Sequence, residues 1–203
     1  SAIAQILEQI YEPRFYNESL GFRPNRNCHQ AVREIIEMVQ YRKTNYVVEA
    51  DIRGFFDNVD HDWLMKMLKH DIADKRFLEL IEKFLKAGIM ENGKYLDSER
   101  GTPQGNGASP ILANIYLHYV LDNWFDVIVK RQCNGECYLI RYADDFCLLL
   151  SEWIRSKSIS RETRRTLCKV WTRTCGRKDQ SIRVREVCQE EQGKKRTGKT
   201  RYL

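Results

Sequence analysis

Residues 141–150 read RYADDFCLLL. A run this apolar reads as a strand, yet it carries two adjacent carboxylates, Asp144 and Asp145. YLIRYA before the pair and FCLLL after it are both strand formers, which puts the acids at the turn of a tight hairpin. Two like charges there repel, and each loses solvation. A bound divalent cation removes both costs. Mg²⁺ takes hard oxygen ligands and usually draws one or two carboxylates from the protein. A plain turn is the competing reading, since Asp is common in turns. Spacing alone leaves both open.

Upstream, YVVEADI at 46–52 is short, β-branched and apolar, so it reads as a buried strand ending in a third acid, Asp51. A strand end beside a hairpin tip can gather three carboxylates, the layout of a two-metal phosphoryl-transfer site. Around these strands the apolar spacing predicts helices over 2–12, stopped by Pro13, and over 31–41. A third begins at a capping Asp60, and a fourth runs over 73–87 to a closing Gly88. Asn92-Gly93 marks a hairpin turn. Ser109 caps, and Pro110 opens, a long helix through Tyr119 and Val120.

The net charge of +6 is unevenly placed. Residues 1–150 hold 18 Lys and Arg against 22 Asp and Glu, a net of −4; residues 151–203 hold 16 against 6, a net of +10. Such a tail reads as a solvated or nucleic-acid-binding arm. The chain starts at Ser1 without Met, which suggests a fragment or a processed product, and it has no signal-peptide pattern or membrane-spanning run. Seven Cys, in no metal spacing, are expected to be reduced thiols of a cytoplasmic protein. His29, His61, His70 and His118 share no ligand spacing and read as ordinary structural residues.

Four stretches together carry more information than any one: SLGFRPNRNCHQAVREI, ADIRGFFDNVDH, RGTPQGNGASPILANIYLHYVLD and RYADDF. In order and spacing the chain resembles a bacterial group II intron-encoded reverse transcriptase/maturase. The resemblance covers nearly all of residues 1–150. It implies that Asp51 and Asp144 hold catalytic Mg²⁺ with the carbonyl of Ile52, and that Asp145 supports or shares that site. Phe56 would wall the sugar pocket and reject a ribose 2′-hydroxyl, although Phe55 is an alternative for the inward-facing ring. Gln104 would touch the incoming nucleotide, and Gly105 would let backbone approach it. Arg53 and Arg23 would meet phosphates, against the alternative that they are solvated surface groups. The implied reaction is attack of a primer 3′-hydroxyl on the α-phosphate of a deoxynucleoside triphosphate. The implied partners are an RNA template with a DNA or RNA primer, deoxynucleoside triphosphates and group II intron RNA, with no membrane.

After RYADDF the family continues with a helix and a segment like FGLEL…EKTK…FGR. Here the apolar residues of 151–203 are scattered among charges instead. Reading 169–189 one base later allows RFGLELAEEKTKVFEFGRFAK, with wobble bases chosen to fit. Several positions are nearly forced: Trp171 before Thr172 dictates glycine. A one-base frameshift between about 150 and 161 follows as an expectation, and the +10 charge becomes an accident of frame.

The expected fold is α+β: the fingers and palm of a reverse transcriptase, with an antiparallel palm sheet backed by helices and incomplete at both ends. Partial fingers occupy 1–45, the palm 46–150, and an out-of-frame, disordered basic tail 151–203. The expected function is an RNA-directed DNA polymerase of a group II intron, present as a truncated and inactive copy. One rival is a non-catalytic intron-RNA-binding splicing factor, which needs a basic thumb rather than three retained Asp. A nucleotide cyclase on a similar palm is a second, opposed by the TPQG and FFDN stretches.

Overall fold

A computed structural model describes residues 1–52, 54–86, 89–91, 94–96, 101, 107–151 and 182–188. Its centre is a four-stranded antiparallel sheet in the order β4-β5-β1-β6, formed by β4 (Cys137–Tyr142), β5 (Asp145–Leu150), β1 (Tyr46–Ile52) and β6 (Ile182–Cys188). A small separate hairpin pairs β2 (Ile89–Glu91) with β3 (Lys94–Leu96), the two strands flanking the Asn92-Gly93 step.

Strand β5 explains its own composition. Phe146, Leu148 and Leu150 enter the main core, while Leu149 and Cys147 join a second cluster on the opposite face. A strand buried on both faces reads as a continuous apolar run rather than an alternation. The main core is completed by α1 (Ala2–Tyr11), α3 (His61–Asp71), α4 (Lys75–Lys86) and α5 (Ser109–Leu117). On the second face lies α2 (Cys28–Tyr41), whose Ala31, Ile35, Met38 and Val39 pack with Leu20, Ile140 and Leu149.

Local chemistry sets the helix ends. Asp60 accepts from the Trp63 amide, as its sequence position suggests. Asn27 accepts from Gln30 N and starts α2 three residues before the expected Ala31. Asp74 caps α4 through the Arg76 and Phe77 amides, so that helix starts at Lys75 rather than 73. Gly88 lies outside the described residues. The cap position of α5 is Ala108, without a side-chain bond, and the expected cap Ser109 is already helical, with Pro110 in the first turn as expected. Beyond α5 the same helix continues with π-wound turns at His118–Asp122 and Phe125–Val129, ending in α6 (Lys130–Gln132).

Strand β6 is drawn from the basic tail. The segment 151–203 reads as disordered, yet Ile182–Cys188 pairs along the whole of β1, from Tyr46↔Cys188 to Ile52↔Ile182. The alternation Ile182-Arg183-Val184-Arg185 is the local signal for it. The rest of that segment, Ser151 apart, lies outside the described residues. Among the described residues no helix is long and apolar enough to cross a membrane.

Candidate active site

Tyr142 pairs with Asp145, so β4 and β5 are joined by two residues only, Ala143 and Asp144. Two-residue hairpins need a positive φ at the first loop position, and Ala143 has φ 59°. The turn thereby fixes Asp144 at the tip and Asp145 as the first residue of β5. Across the next ladder Asp145 stands directly opposite Asp51. Residues paired in this way have Cα atoms about 4.5–5.5 Å apart. They also share the face of Val47 and Leu149, away from the main core. The sequence-predicted acids are therefore neighbours in the backbone. Ile52, next to Asp51, is buried in the main core.

The electrostatics agree with that proximity. Burial raises the Asp144 carboxyl above the usual carboxylate range, and the charge of Asp51 adds to the rise. Burial, then the charges of Asp144, Asp51 and Glu49, raise Asp145 in the same direction. Among the described residues, no three acidic, His or Cys side chains converge as a metal-binding group. The donor set nevertheless fits a hard divalent cation: carboxylate oxygens at one end of a sheet, those of Asp144 and Asp145 made costly to ionise, with no soft ligand among them.

The GFRP loop sits against this turn. A Cβ on Gly21 would lie 2.1 Å from the Ala143 nitrogen, so the loop's backbone touches the turn's backbone. Next to it, Phe22 is 48% exposed at φ 55° and meets Phe56 edge-on at 6.2 Å. Phe55 is 1% exposed and packs toward Tyr116 in the core, while Phe56 is half-buried. Of the two rings, Phe56 is the one available at the surface near the turn.

Arg23 departs from the expected role of meeting phosphates. Its side chain is 3% exposed and forks onto the Glu12 carboxylate at 2.9–3.1 Å, and its Nη1 donates to the carbonyls of Tyr16 and Ser19 at 2.6 Å. It ties α1 to the loop instead. Arg53, Gln104 and Gly105 lie outside the described residues.

The family model for reverse transcriptase (RNA-dependent DNA polymerase) matches residues 1–178. The chain belongs to the reverse transcriptase family. The match runs past Leu150 into the segment that reads as aberrant. Among curated relatives, the group II intron-encoded protein LtrA of Lactococcus lactis subsp. cremoris is 49% identical over 117 residues, which is 58% of this chain and 19% of LtrA. An uncharacterized 91 kDa protein in the cob intron of Schizosaccharomyces pombe is 47% identical over 113 residues, 56% of this chain and 14% of that one. Protein YkfC of Escherichia coli is 33% identical over 177 residues, 73% of this chain and 46% of YkfC. The chain thus spans from about a seventh to just under half of these relatives. In fold it is similar to apo telomerase from Candida tropicalis truncated from its C-terminal domain, with TM-score 0.66 at 14% identity over 95% of this chain and 41% of that one.

Two residues of this reverse transcriptase domain escape a reading by motif. His61 is buried, and its Nε2 meets the Gly101 carbonyl, whose own amide donates to Val59 at 2.9 Å. Gly101 has φ 84° and presses on the backbone of Phe56 and Asp57. The start of the GTPQG stretch is thereby clamped to the 3-10 turn at Phe56–Asn58. The other is Arg141, 0% exposed, which binds Asp122, Asn114 and the Ala143 carbonyl. No spacing rule marks either one, because their partners are distant in sequence.

Proposed function

We propose that this domain is the polymerase core of a group II intron reverse transcriptase, which copies RNA into DNA by Mg²⁺-dependent transfer of a deoxynucleotide to a primer 3′-hydroxyl. The observation that carries the reading is the register that sets Asp51 against Asp145 beside the Asp144 turn. Asp51, Asp144 and the Ile52 carbonyl would hold the metal, with Asp145 supporting them. When bound, Mg²⁺ would lower the pKa of the attacking hydroxyl and offset charge on the leaving pyrophosphate.

The chain's own residues have separate tasks. The carboxylates supply the negative site that attracts and orients the cation. Phe56, braced edge-on by Phe22, would close the sugar pocket against a 2′-hydroxyl. Gln104 would contact the nucleotide, Gly105 would allow close backbone approach, and Arg53 would meet phosphate. The substrates would be an RNA template with a DNA or RNA primer and deoxynucleoside triphosphates, in the cytoplasm, with intron RNA as a further partner. Residues 1–45 would be partial fingers, 46–150 palm, and 151–203 an out-of-frame tail.

The test is primer extension on an RNA template with Mg²⁺. It uses the 203-residue chain, a full-length version with the reading frame restored after 150, and Asp144→Ala in each. Extension is expected from the frame-restored protein and is lost in its Asp144→Ala variant. Little or none is expected from the 203-residue chain. An inactive frame-restored protein would overturn the polymerase reading. Asp144-dependent extension by the 203-residue chain would overturn the reading of its tail.

A further inference from the structure

We infer that Arg141 is a positioning residue, and that the π-wound stretch of the long helix exists in this domain to hold its counter-ion. The inference rests on the polymerase reading only in taking Asp144 as the acid that matters.

The geometry is a closed ring. Arg141 Nε and Nη2 donate to the two oxygens of Asp122 at 2.9 and 2.8 Å. Nη1 donates to Asn114 Oδ1 at 2.9 Å and to the Ala143 carbonyl at 2.9 Å. Asn114 passes the connection on, with Nδ2 donating to the Gly21 carbonyl at 2.7 Å. Gly21 in turn lies against the Ala143 nitrogen. The backbone of Arg141 adds two bonds to the same loop, accepting from Leu20 N at 2.8 Å and donating to Glu18 O at 2.9 Å. One guanidinium therefore fixes both sides of Ala143: its carbonyl directly, and its nitrogen through Asn114 and Gly21. Asp144 follows in the chain, with no intervening residue to absorb movement.

The helix explains why two acceptors meet one fork. An α-helix turns about 100° per residue, so Asn114 and Asp122, eight residues apart, would point about 80° away from each other. Residues His118–Asp122 are π-wound, and the wider i→i+5 turn rotates less per residue. The two side chains swing toward one face, where both reach Arg141. Such bulges often mark functional sites.

A buried charge pair alone is weak evidence for stability, because apolar replacements often do as well. What an apolar pair cannot do is hold the Ala143 carbonyl. Arg141 bonds the backbone of Ala143 rather than a carboxylate, so it acts one link further out than the direct partners of metal ligands, whose loss typically changes metal affinity by about 10–100-fold.

The experiment compares the 203-residue wild type with Arg141→Lys and with the double variant R141M/D122L, which removes the charges together so that the fold survives. Amide exchange at 143–145 is followed by NMR without metal, and Mn²⁺ affinity is followed by EPR, with D144N as the control. Both variants are expected to exchange about tenfold faster at the turn while core amides hold. Both are expected to bind Mn²⁺ about tenfold more weakly. Lysine keeps the charge opposite Asp122 but not the fork, so full rescue by Arg141→Lys would reduce Arg141 to a mere counter-ion and overturn the inference. Unchanged exchange at the turn, or faster exchange with unchanged Mn²⁺ affinity, would overturn it as well. If wild-type Mn²⁺ binding is indifferent to D144N, the polymerase reading fails separately, and the turn's exchange alone decides the role of Arg141.

Discussion

Asp51 and Asp145 stand opposite each other across the β1–β5 ladder, at the end of the sheet where the β4–β5 turn carries Asp144. Of these acids, Asp144 and Asp145 bear a cost of ionisation at neutral pH that a bound cation would offset. The carboxyls of Asp144 and Asp145 are raised by burial and by their neighbours' charge. A group raised in the folded state binds more protons folded than unfolded, so its contribution to stability falls as pH climbs through the carboxylate range.

Asp144→Asn should therefore raise the melting temperature at pH 7 in metal-free buffer. The gain should vanish once the pH falls below the carboxylate range. Mg²⁺ should stabilise wild type and not the variant. Melting curves at the two pH values check both; a wild type more stable than the variant at pH 7 without metal would refute the sign.

Phe55 and Phe56 should separate cleanly. Phe55→Ala opens a core cavity and should cost about 3–5 kcal/mol in urea unfolding. Phe56→Ala removes a half-buried ring and should cost under about 2 kcal/mol. In the frame-restored protein, Phe56→Ala should selectively improve use of ribonucleotides, measured as the ratio of kcat/KM for the two sugars.

Gly21→Ala should be severe. The added Cβ meets backbone at 2.1 Å, and backbone on both sides cannot yield as a side chain would. A loss of more than about 3 kcal/mol is expected. Near-wild-type stability in denaturant would mean that the loop does not seat on the turn.

Arg23→Met should cost about 1–3 kcal/mol, since it leaves the carbonyls of Tyr16 and Ser19 unpaired and takes the partner from a part-exposed Glu12 carboxylate. Because the guanidinium is committed internally, the salt dependence of RNA binding should not change. A shallower salt slope would restore a phosphate-contacting role.

Much of this was legible in the residues. YVVEADI and the two halves of RYADDFCLLL carry the strand signal strongly, and a two-residue gap between strands leaves only a turn for the acids. Arg23 and Arg141 were not legible. Arg is normally exposed, and burial depends on acceptors that sequence does not bring together: Glu12 eleven residues away, and Asp122 nineteen away on a helix whose π turns break the 3.6-residue period. Strand β6 was hidden for a different reason. Its alternation is short and lies within a strongly charged stretch, where composition outweighs pattern.

The place of β1 in the sheet sets a timetable for synthesis. Its two neighbours both come from far downstream: Tyr46 waits for Leu150 on one side and for Cys188 on the other. At about 5–20 residues per second, roughly a hundred residues separate β1 from its first partner by about 5–20 s of translation. Through that interval a β-branched segment has two unpaired edges, the kind of surface that pairs with other chains. Until the acidic hairpin leaves the ribosome, the helices made before it are there to cover β1. A ribosome stalled before residue 145 would present β1 with neither neighbour made.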